Sequence, residues 1–157
     1  SPDNDIIFVF THYLHHFFIE GVGLRQICDW CRLLWTFRDS INKDLLEERL
    51  RRSELMSEWQ SFASLAVNYL GMPVEAMPFY DSGRSYEKKA NRLLKHILKT
   101  GNMGHNKDVN YRTKQTPIIS NVITFFRRFT EFLELSFVFP VDAPKFFVNY
   151  VFNRIRV

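Results

Sequence analysis

Apolar residues recur at intervals of three and four along most of the chain, which is the spacing of an amphipathic α-helix. Residues 85–100 show it most clearly, with basic residues on one face and an apolar row on the other: Ala90, Leu93, Leu94, Ile97 and Leu98. Residues 6–19 are apolar on nearly every side, as expected of a central buried helix. No segment alternates as a half-buried strand would. The pattern predicts an all-α fold, a single compact domain of about seven helices without a significant sheet.

Polar residues and glycines at the ends of the apolar rows predict where the first three helices begin and end. Residues 3–5, Asp-Asn-Asp, are interpreted as the N-terminal cap and dipole partner of the first helix. Gly21 and Gly23 favour a tight turn after it, and a second helix is expected over residues 24–37. Asn42 is expected to cap the third helix.

The later helices have equally local signals. Ser57 and Gln60 have the spacing of a capping box, which makes Ser57 the expected N-cap of the fourth helix, and Gly71 is expected to end that helix. Pro117 is expected as the first residue of the sixth helix and Asp142 at the start of the seventh. No internal repeat or low-complexity tract interrupts the series, so we expect one domain.

The composition agrees with a folded, soluble domain. At 157 residues the chain can bury a core of its own, and 46% hydrophobic with 16% aromatic residues is too apolar for a disordered chain. The sequence has no stretch of about 18 uncharged apolar residues, so we expect no membrane partner. It also shows no basic N-terminal region with a cleavage site, and we expect a cytoplasmic protein.

Cys28 and Cys31 form a C-x-x-C within the second predicted helix. A thioredoxin-like motif needs a preceding strand, and a zinc site needs two further ligands at matching spacing. The sequence shows neither. We therefore expect two buried, reduced thiols, which fits a reducing compartment.

The net charge of +4 conceals a strongly basic segment between residues 84 and 128. The segment holds only two acidic residues, Glu87 and Asp108, against a long series of basic ones: Arg84, Lys88, Lys89, Arg92, Lys95, Lys99, Lys107, Arg112, Lys114, Arg127 and Arg128. Such a series is either a solvated helix face or a surface that faces the phosphates of a nucleotide or of nucleic acid. Both interpretations stay open.

Three polar residues of the first helix share one stripe, because His12, His16 and Glu20 follow one another at intervals of four. Two histidines four apart can share a metal ion. The catalytic zinc signature, however, places a glutamate directly after the first histidine, where this chain has Tyr13. We interpret the stripe as polar residues that line a groove, and we assign no metal to it.

A second stripe, formed by Arg25, Asp29 and Arg32, lies on the second helix. It is either an intrahelical series of ion pairs, each worth roughly tenths of a kcal/mol, or a binding site. In the second case Arg25 contacts a phosphate and Asp29 orients it. Both stripes flank the turn at Gly21 and Gly23, which would bring them to one cleft.

Four stretches carry a resemblance to known proteins: HYLHHFFIEGVGLRQICDW at residues 12–30, LMSEWQSFASLAVNYLGMPVEAMP at residues 55–78, GNMGHNKD at residues 101–108 and FPVD at residues 139–142. In this order they resemble a family of uncharacterised bacterial nucleotidyltransferases, and the resemblance spans nearly the whole chain. It implies a polymerase-β-like nucleotidyltransferase, in which a small catalytic sheet precedes a set of helices.

The resemblance further implies that residues 1–157 are the C-terminal helical domain, without the catalytic N-terminal domain. In that superfamily a Gly-Ser turn and an Asp-x-Asp pair hold two divalent metal ions, which activate the attacking hydroxyl and stabilise the leaving phosphate. Mg²⁺ is therefore expected in the parent enzyme through the missing domain, with no cofactor in this chain. We expect the fragment to be inactive alone and to have the missing domain as its partner.

The same resemblance implies substrate-binding residues. Related nucleotidyltransferases often place a basic residue and a carboxylate four apart on a helix beside the nucleotide, as Arg25 and Asp29 are placed here. The loop at residues 101–108 is a candidate second wall of the site. The complete set of predicted substrate-binding residues is His12, His16, Glu20, Arg25, Asp29, His105 and Lys107.

Three functions are compatible with these patterns. The first is a helical subdomain that binds nucleoside triphosphate or acceptor for a metal-dependent nucleotidyltransferase. The second is a nucleic-acid-binding module that uses residues 84–128, although few aromatic residues beyond Tyr86 and Tyr111 interleave with its basic ones. The third is a domain that docks a protein partner through exposed Phe residues of the last two helices.

Overall fold

The computed structural model describes residues 1–19, 21–101, 117–141 and 143–144. These residues form six α-helices: α1 (Pro2–Ile19), α2 (Leu24–Phe37), α3 (Lys43–Arg52), α4 (Met56–Leu70), α5 (Arg84–Thr100) and α6 (Pro117–Ser136). A short 3₁₀ helix, Val74–Ala76, lies between α4 and α5. No strand occurs in the described residues, which confirms the predicted all-α fold. None of these helices combines the length and the apolarity needed to cross a membrane.

One face of α1 is buried in the core, but the prediction of a helix buried on nearly every side is wrong, because Phe8 is 66% exposed and His12 and His15 are exposed as well. Ile6, Phe10 and Phe17 are almost fully buried. The ring of Phe10 contacts two tryptophans from other helices, with centroid distances of 5.5 Å to Trp30 of α2 and 4.9 Å to Trp59 of α4. The two tryptophans also contact each other, at 4.8 Å. These aromatic pairs join α1, α2 and α4 into one core and stabilise it beyond the effect of buried area alone.

α5 packs against α4 along one apolar stripe. The buried residues of the stripe are Ala90, Leu93, Ile97 and Thr100. Leu98 was expected on the same face, but it is 58% exposed. The buried stripe is centred between Leu93 and Ile97, and Leu98 lies roughly 100° further round the helix from Ile97, on the solvent side.

The prediction of a capping box at Ser57 is wrong. The connection from α3 to α4 consists of residues 53–55, in which Glu54 has a left-handed backbone conformation with φ 57°. Leu55 occupies the N-cap position, so Ser57 already lies in the first turn of α4. Its hydroxyl accepts a hydrogen bond from the Nζ of Lys89 in α5, at 3.0 Å. Ser57 therefore connects two helices instead of capping one.

Two polar residues fix the beginning of α3. Asn42 caps it as predicted, since its Oδ1 accepts a hydrogen bond from the backbone N–H of Leu45 at 3.1 Å. Asp3, expected in the cap of α1, lies inside the first turn because α1 already begins at Pro2. The buried Asp3 carboxylate accepts a hydrogen bond from the backbone N–H of Asn42 at 2.8 Å. Asp3 thus ties the start of α1 to the start of α3.

The remaining predicted boundaries concern α4 and the C-terminal helices. Gly71 ends α4 as predicted, in a left-handed conformation with φ 74° that glycine adopts at little cost. α6 begins at Pro117, also as predicted. The seventh helix was predicted from Asp142, which lies outside the described residues, as does everything beyond residue 144.

Candidate functional site

Hydrogen bonds at both glycines hold the turn between α1 and α2. The N–H of Gly21 donates to the carbonyl oxygen of His16 at 2.9 Å, and Gly21 has a φ of 103°, which residues with a side chain rarely adopt. Gly23 precedes α2, and its N–H donates to the Oε1 of Gln26 at 3.1 Å. Val22 between them is buried. The end of α1 therefore leads almost directly into the beginning of α2.

His12 and His16 lie side by side on the outer part of α1. His12 is exposed, and its ring stacks on that of Phe8 with a centroid distance of 5.8 Å. The rings of His12 and His16 meet edge-on at 4.7 Å. Glu20, the third member of the predicted stripe, lies outside the described residues. Within the described part of the chain, no group of three or more metal-ligating side chains comes together.

Arg25 and Asp29 are exposed on the outer face of α2, one helical turn apart. The opposite face of the helix is buried in the core through Ile27, Trp30 and Leu34. Neither Arg25 nor Asp29 forms an ion pair or a side-chain hydrogen bond with another residue that the structure describes. The intrahelical series of ion pairs is therefore not formed there, and both side chains are accessible to a ligand.

The turn places the two predicted stripes at adjoining helix ends. His16 lies in the last turn of α1, and Arg25 lies in the first turn of α2. The first turn of α2 contains no acidic side chain. The positive end of the helix dipole and the Arg25 guanidinium therefore act together to favour an anion at this position. His105 and Lys107, predicted in a second wall of the site, lie outside the described residues.

Cys28 and Cys31 are free thiols, but the prediction that both are buried is wrong for Cys28. Cys28 is exposed, and Cys31 is half-buried. The reason is that the buried face of α2 is centred on Trp30 and Leu34, and Cys28 lies on the far side of the helix from them. Burial, with a further contribution from the neighbouring Cys28, raises the pKa of the Cys31 thiol from 9.0 to about 12.

Both cysteines line a groove of about 430 Å³ between α2 and the end of α4. The α4 side of this groove consists of the helix end and the chain after it: Leu70, Gly71, Met72 and Pro73. Arg32 lines the groove and also belongs to the charged stripe, so the stripe leads from Arg25 to the groove. Sequence patterns on α2 alone could not reveal this groove, because its other side comes from the end of α4 and the chain after it.

The basic series of α5 is partly used in contacts within the protein. Lys99 donates to both carboxylate oxygens of Glu134 in α6, at 3.1 and 3.3 Å, and Lys89 donates to Ser57. Three other cations of α5 are exposed and have no partner among the residues described: Arg84, Lys88 and Lys95. The basic side chains between residues 107 and 128 lie outside the description.

Comparison with known proteins provides no relative for this chain. A scan against protein-family models finds no match, and searches of curated proteins and of solved structures find none at a significant level.

Proposed function

We propose that this chain is the helical, nucleotide- or acceptor-binding part of a metal-dependent nucleotidyltransferase and is not catalytic by itself. One observation carries the proposal: Arg25 and Asp29 lie one turn apart on the exposed face of α2, without a partner in the described part of the chain. A charged pair held in an internal ion-pair series would be less available to a ligand. The resemblance of residues 12–30 to nucleotidyltransferases supports the same assignment.

The Arg25 guanidinium is suited to a phosphate group. Its planar fork presents parallel N–H donors to two phosphate oxygens, and such charge-assisted hydrogen bonds are roughly twice as strong as neutral ones. The N-terminal end of α2 adds a partial positive charge beside it. Asp29, one turn further along α2, would accept hydrogen bonds from the guanidinium or from a ligand hydroxyl and so fix the orientation of the bound group.

His16 would adjoin the same ligand from the other side of the turn, where its imidazole can donate or accept a hydrogen bond. When bound, Mg²⁺ would neutralise charge on a triphosphate. The described residues do not bring together the ligands for such an ion. The resemblance implies that a separate catalytic domain would hold the metal, and the residues of this chain would bind and orient the nucleotide or acceptor.

A calorimetric titration with ATP, GTP, CTP and UTP in the presence of Mg²⁺ tests the proposal. We expect at least one nucleotide to bind, and Arg25→Ala to weaken that binding about tenfold through loss of a charge-assisted contact. Arg52→Ala is the matched control, because Arg52 is exposed on α3 and the substitution removes the same charge. Failure of all four nucleotides to bind, or equal weakening by both substitutions, would overturn the proposal.

The alternative is a helical domain for interaction with protein or nucleic acid, without an enzymatic role. Exposed apolar side chains at helical spacing on α6 favour it: Phe126, Phe129 and Leu133. This alternative predicts that no nucleoside triphosphate binds saturably. If nucleic acid is the partner, it also predicts that affinity falls steeply with added salt, because cations such as Lys88 would displace counterions from phosphates.

A further inference from the structure

A second groove, of about 440 Å³, lies between α5 and the end of α6. Its floor is apolar and buried, formed by Leu93 of α5 with Leu135 and Val138. Phe137 lines one side and is 77% exposed. A phenyl ring left in water favours a ligand whose own apolar part packs against it. The volume is within the range of small-molecule sites.

The rim of this groove is positively charged. Arg92, Lys95 and Lys99 of α5 line it together with one acidic residue, Glu134 of α6. Lys99 already contacts both carboxylate oxygens of Glu134, so the charges of this pair cancel. Arg92 and Lys95 therefore leave the groove with a net positive charge, which is complementary to an anionic group.

Contacts with the core and between helices hold the groove in shape. The Nη1 of Arg92 donates to the carbonyl oxygen of Phe137 at 3.4 Å, which ties the end of α6 to α5. The His96 side chain is only 9% exposed, and its Nδ1 lies 4.0 Å from a carboxylate oxygen of Glu134. The His96 ring also packs edge-on against Phe17 of the central helix, at 5.4 Å. The groove is thus anchored to the core of the domain.

We propose that this groove binds a small amphipathic anion, a molecule with an aliphatic body and a single carboxylate head. The aliphatic body lies between the apolar floor and Phe137. The carboxylate lies at Lys95, which is exposed and forms no hydrogen bond or ion pair with another described residue. A cationic ligand is disfavoured by the net charge of the rim. The inference does not rest on the proposed function, because no residue that contacts the ligand belongs to α1 or α2.

Octanoate is a suitable probe, titrated into the ¹⁵N-labelled chain while amide chemical shifts are recorded. The largest shifts are expected at Leu93, His96 and Val138. The controls are 1-octanol and octyltrimethylammonium, which have the same apolar body without the negative charge. We expect both to bind at least about threefold more weakly, which is the scale of one exposed ion pair. Equal binding of the three compounds, or shifts concentrated away from the groove, would overturn the proposal.

Two matched pairs of substitutions test the individual residues. Lys95→Met removes a charge from the rim, and Lys88→Met makes the same change on α5 outside the groove. Phe137→Ser removes one side of the groove, and Phe126→Ser removes another exposed phenyl ring, from α6. All four side chains are exposed, so the fold is expected to persist. The first member of each pair should weaken octanoate binding about three- to tenfold, and the second should leave it unchanged. Equal effects within either pair would contradict the proposal.

Discussion

The indole N–H of Trp59 donates a buried hydrogen bond of 2.7 Å to the carbonyl oxygen of Pro78. The bond ties α4 to the chain that follows the 3₁₀ helix. Trp59→Phe would remove volume from the core and leave the Pro78 carbonyl unpaired. We expect the free energy of unfolding to fall by about 3 kcal/mol. Urea unfolding followed by circular dichroism measures this change.

Trp35→Phe is the control for this prediction. Trp35 is 44% exposed, and its ring lies under the Arg38 guanidinium, 4.3 Å from ring centroid to guanidinium carbon. Its substitution is expected to change the free energy of unfolding by less than about 1 kcal/mol. If both substitutions lower the free energy of unfolding equally, the buried packing and hydrogen bond of Trp59 do not stabilise the fold.

The Tyr13 hydroxyl differs from the indole N–H of Trp59, because it is buried but has no hydrogen-bond partner among the described residues. A buried polar group without a partner is destabilising. Tyr13→Phe is therefore expected to raise the free energy of unfolding by about 1 kcal/mol.

The comparison for Tyr13 is Tyr80→Phe. The Tyr80 hydroxyl donates to the Oδ1 of Asn68 at 3.2 Å, so removing it should lower stability slightly. Both variants can be measured in the same urea series. A loss of stability in Tyr13→Phe as large as that in Tyr80→Phe would show that the buried hydroxyl has a stabilising contact.

The two cysteines should differ in reactivity. Cys28 is exposed, whereas burial raises the pKa of Cys31 to about 12, so Cys31 holds very little of the reactive thiolate at pH 8. We expect iodoacetamide to alkylate Cys28 at least about tenfold faster than Cys31 under native conditions. Mass spectrometry of quenched time points gives both rates, and denatured protein serves as the control in which the rates converge. Equal rates in the native protein would contradict this assignment.

The raised pKa of Cys31 also predicts a dependence of stability on alkaline pH. In the unfolded chain the thiol loses its proton near its ordinary pKa of 9.0, but in the folded chain it does so only at about 12. Between these values the unfolded state binds fewer protons, so the free energy of unfolding falls as pH rises from about 9 towards 12. Tyr13 contributes in the same direction at higher pH, because burial raises its pKa as well.

Cys31→Ala separates the two contributions. Its free energy of unfolding should decline less steeply than that of the unaltered chain between about pH 9 and 12, with the remaining decline due to groups such as Tyr13. Parallel curves for the two proteins would show that the Cys31 thiol does not have a raised pKa in the folded state.

Helices and most of their ends follow from local patterns, which is why the sequence predicts them well. The apolar positions of residues 6–19 place one face of α1 in the core, and Asn42 begins α3 and Gly71 ends α4 as their chemistry predicts. The failures are of another kind. Cys28 and Leu98 lie on the correct helices, but packing against neighbouring helices decides which side of each helix is buried. Ser57 does not cap α4 because that helix already begins at Met56.

Features formed by distant residues could not be predicted. The contact between Asp3 and Asn42 joins positions 39 apart in the chain, and only the folded structure shows that α1 and α3 start side by side. The groove between α5 and α6 likewise depends on residues such as Lys95 and Val138, which no motif connects. For the candidate site, the sequence identified the stripe of Arg25 and Asp29. Only the structure shows that these two side chains have no partner within the described chain.

Nucleotide binding at the turn between α1 and α2 is tested most directly by mapping amide chemical shifts while each nucleoside triphosphate is added with Mg²⁺. We predict that the largest shifts occur within residues 21–29 and that they are strongly reduced in Arg25→Ala but not in Arg52→Ala. The groove between α5 and the end of α6 provides an internal comparison, since Leu93 and Val138 should respond to octanoate and not to the nucleotide. Largest shifts on α5, or no shifts from any of the four nucleotides, would contradict nucleotide binding at this turn.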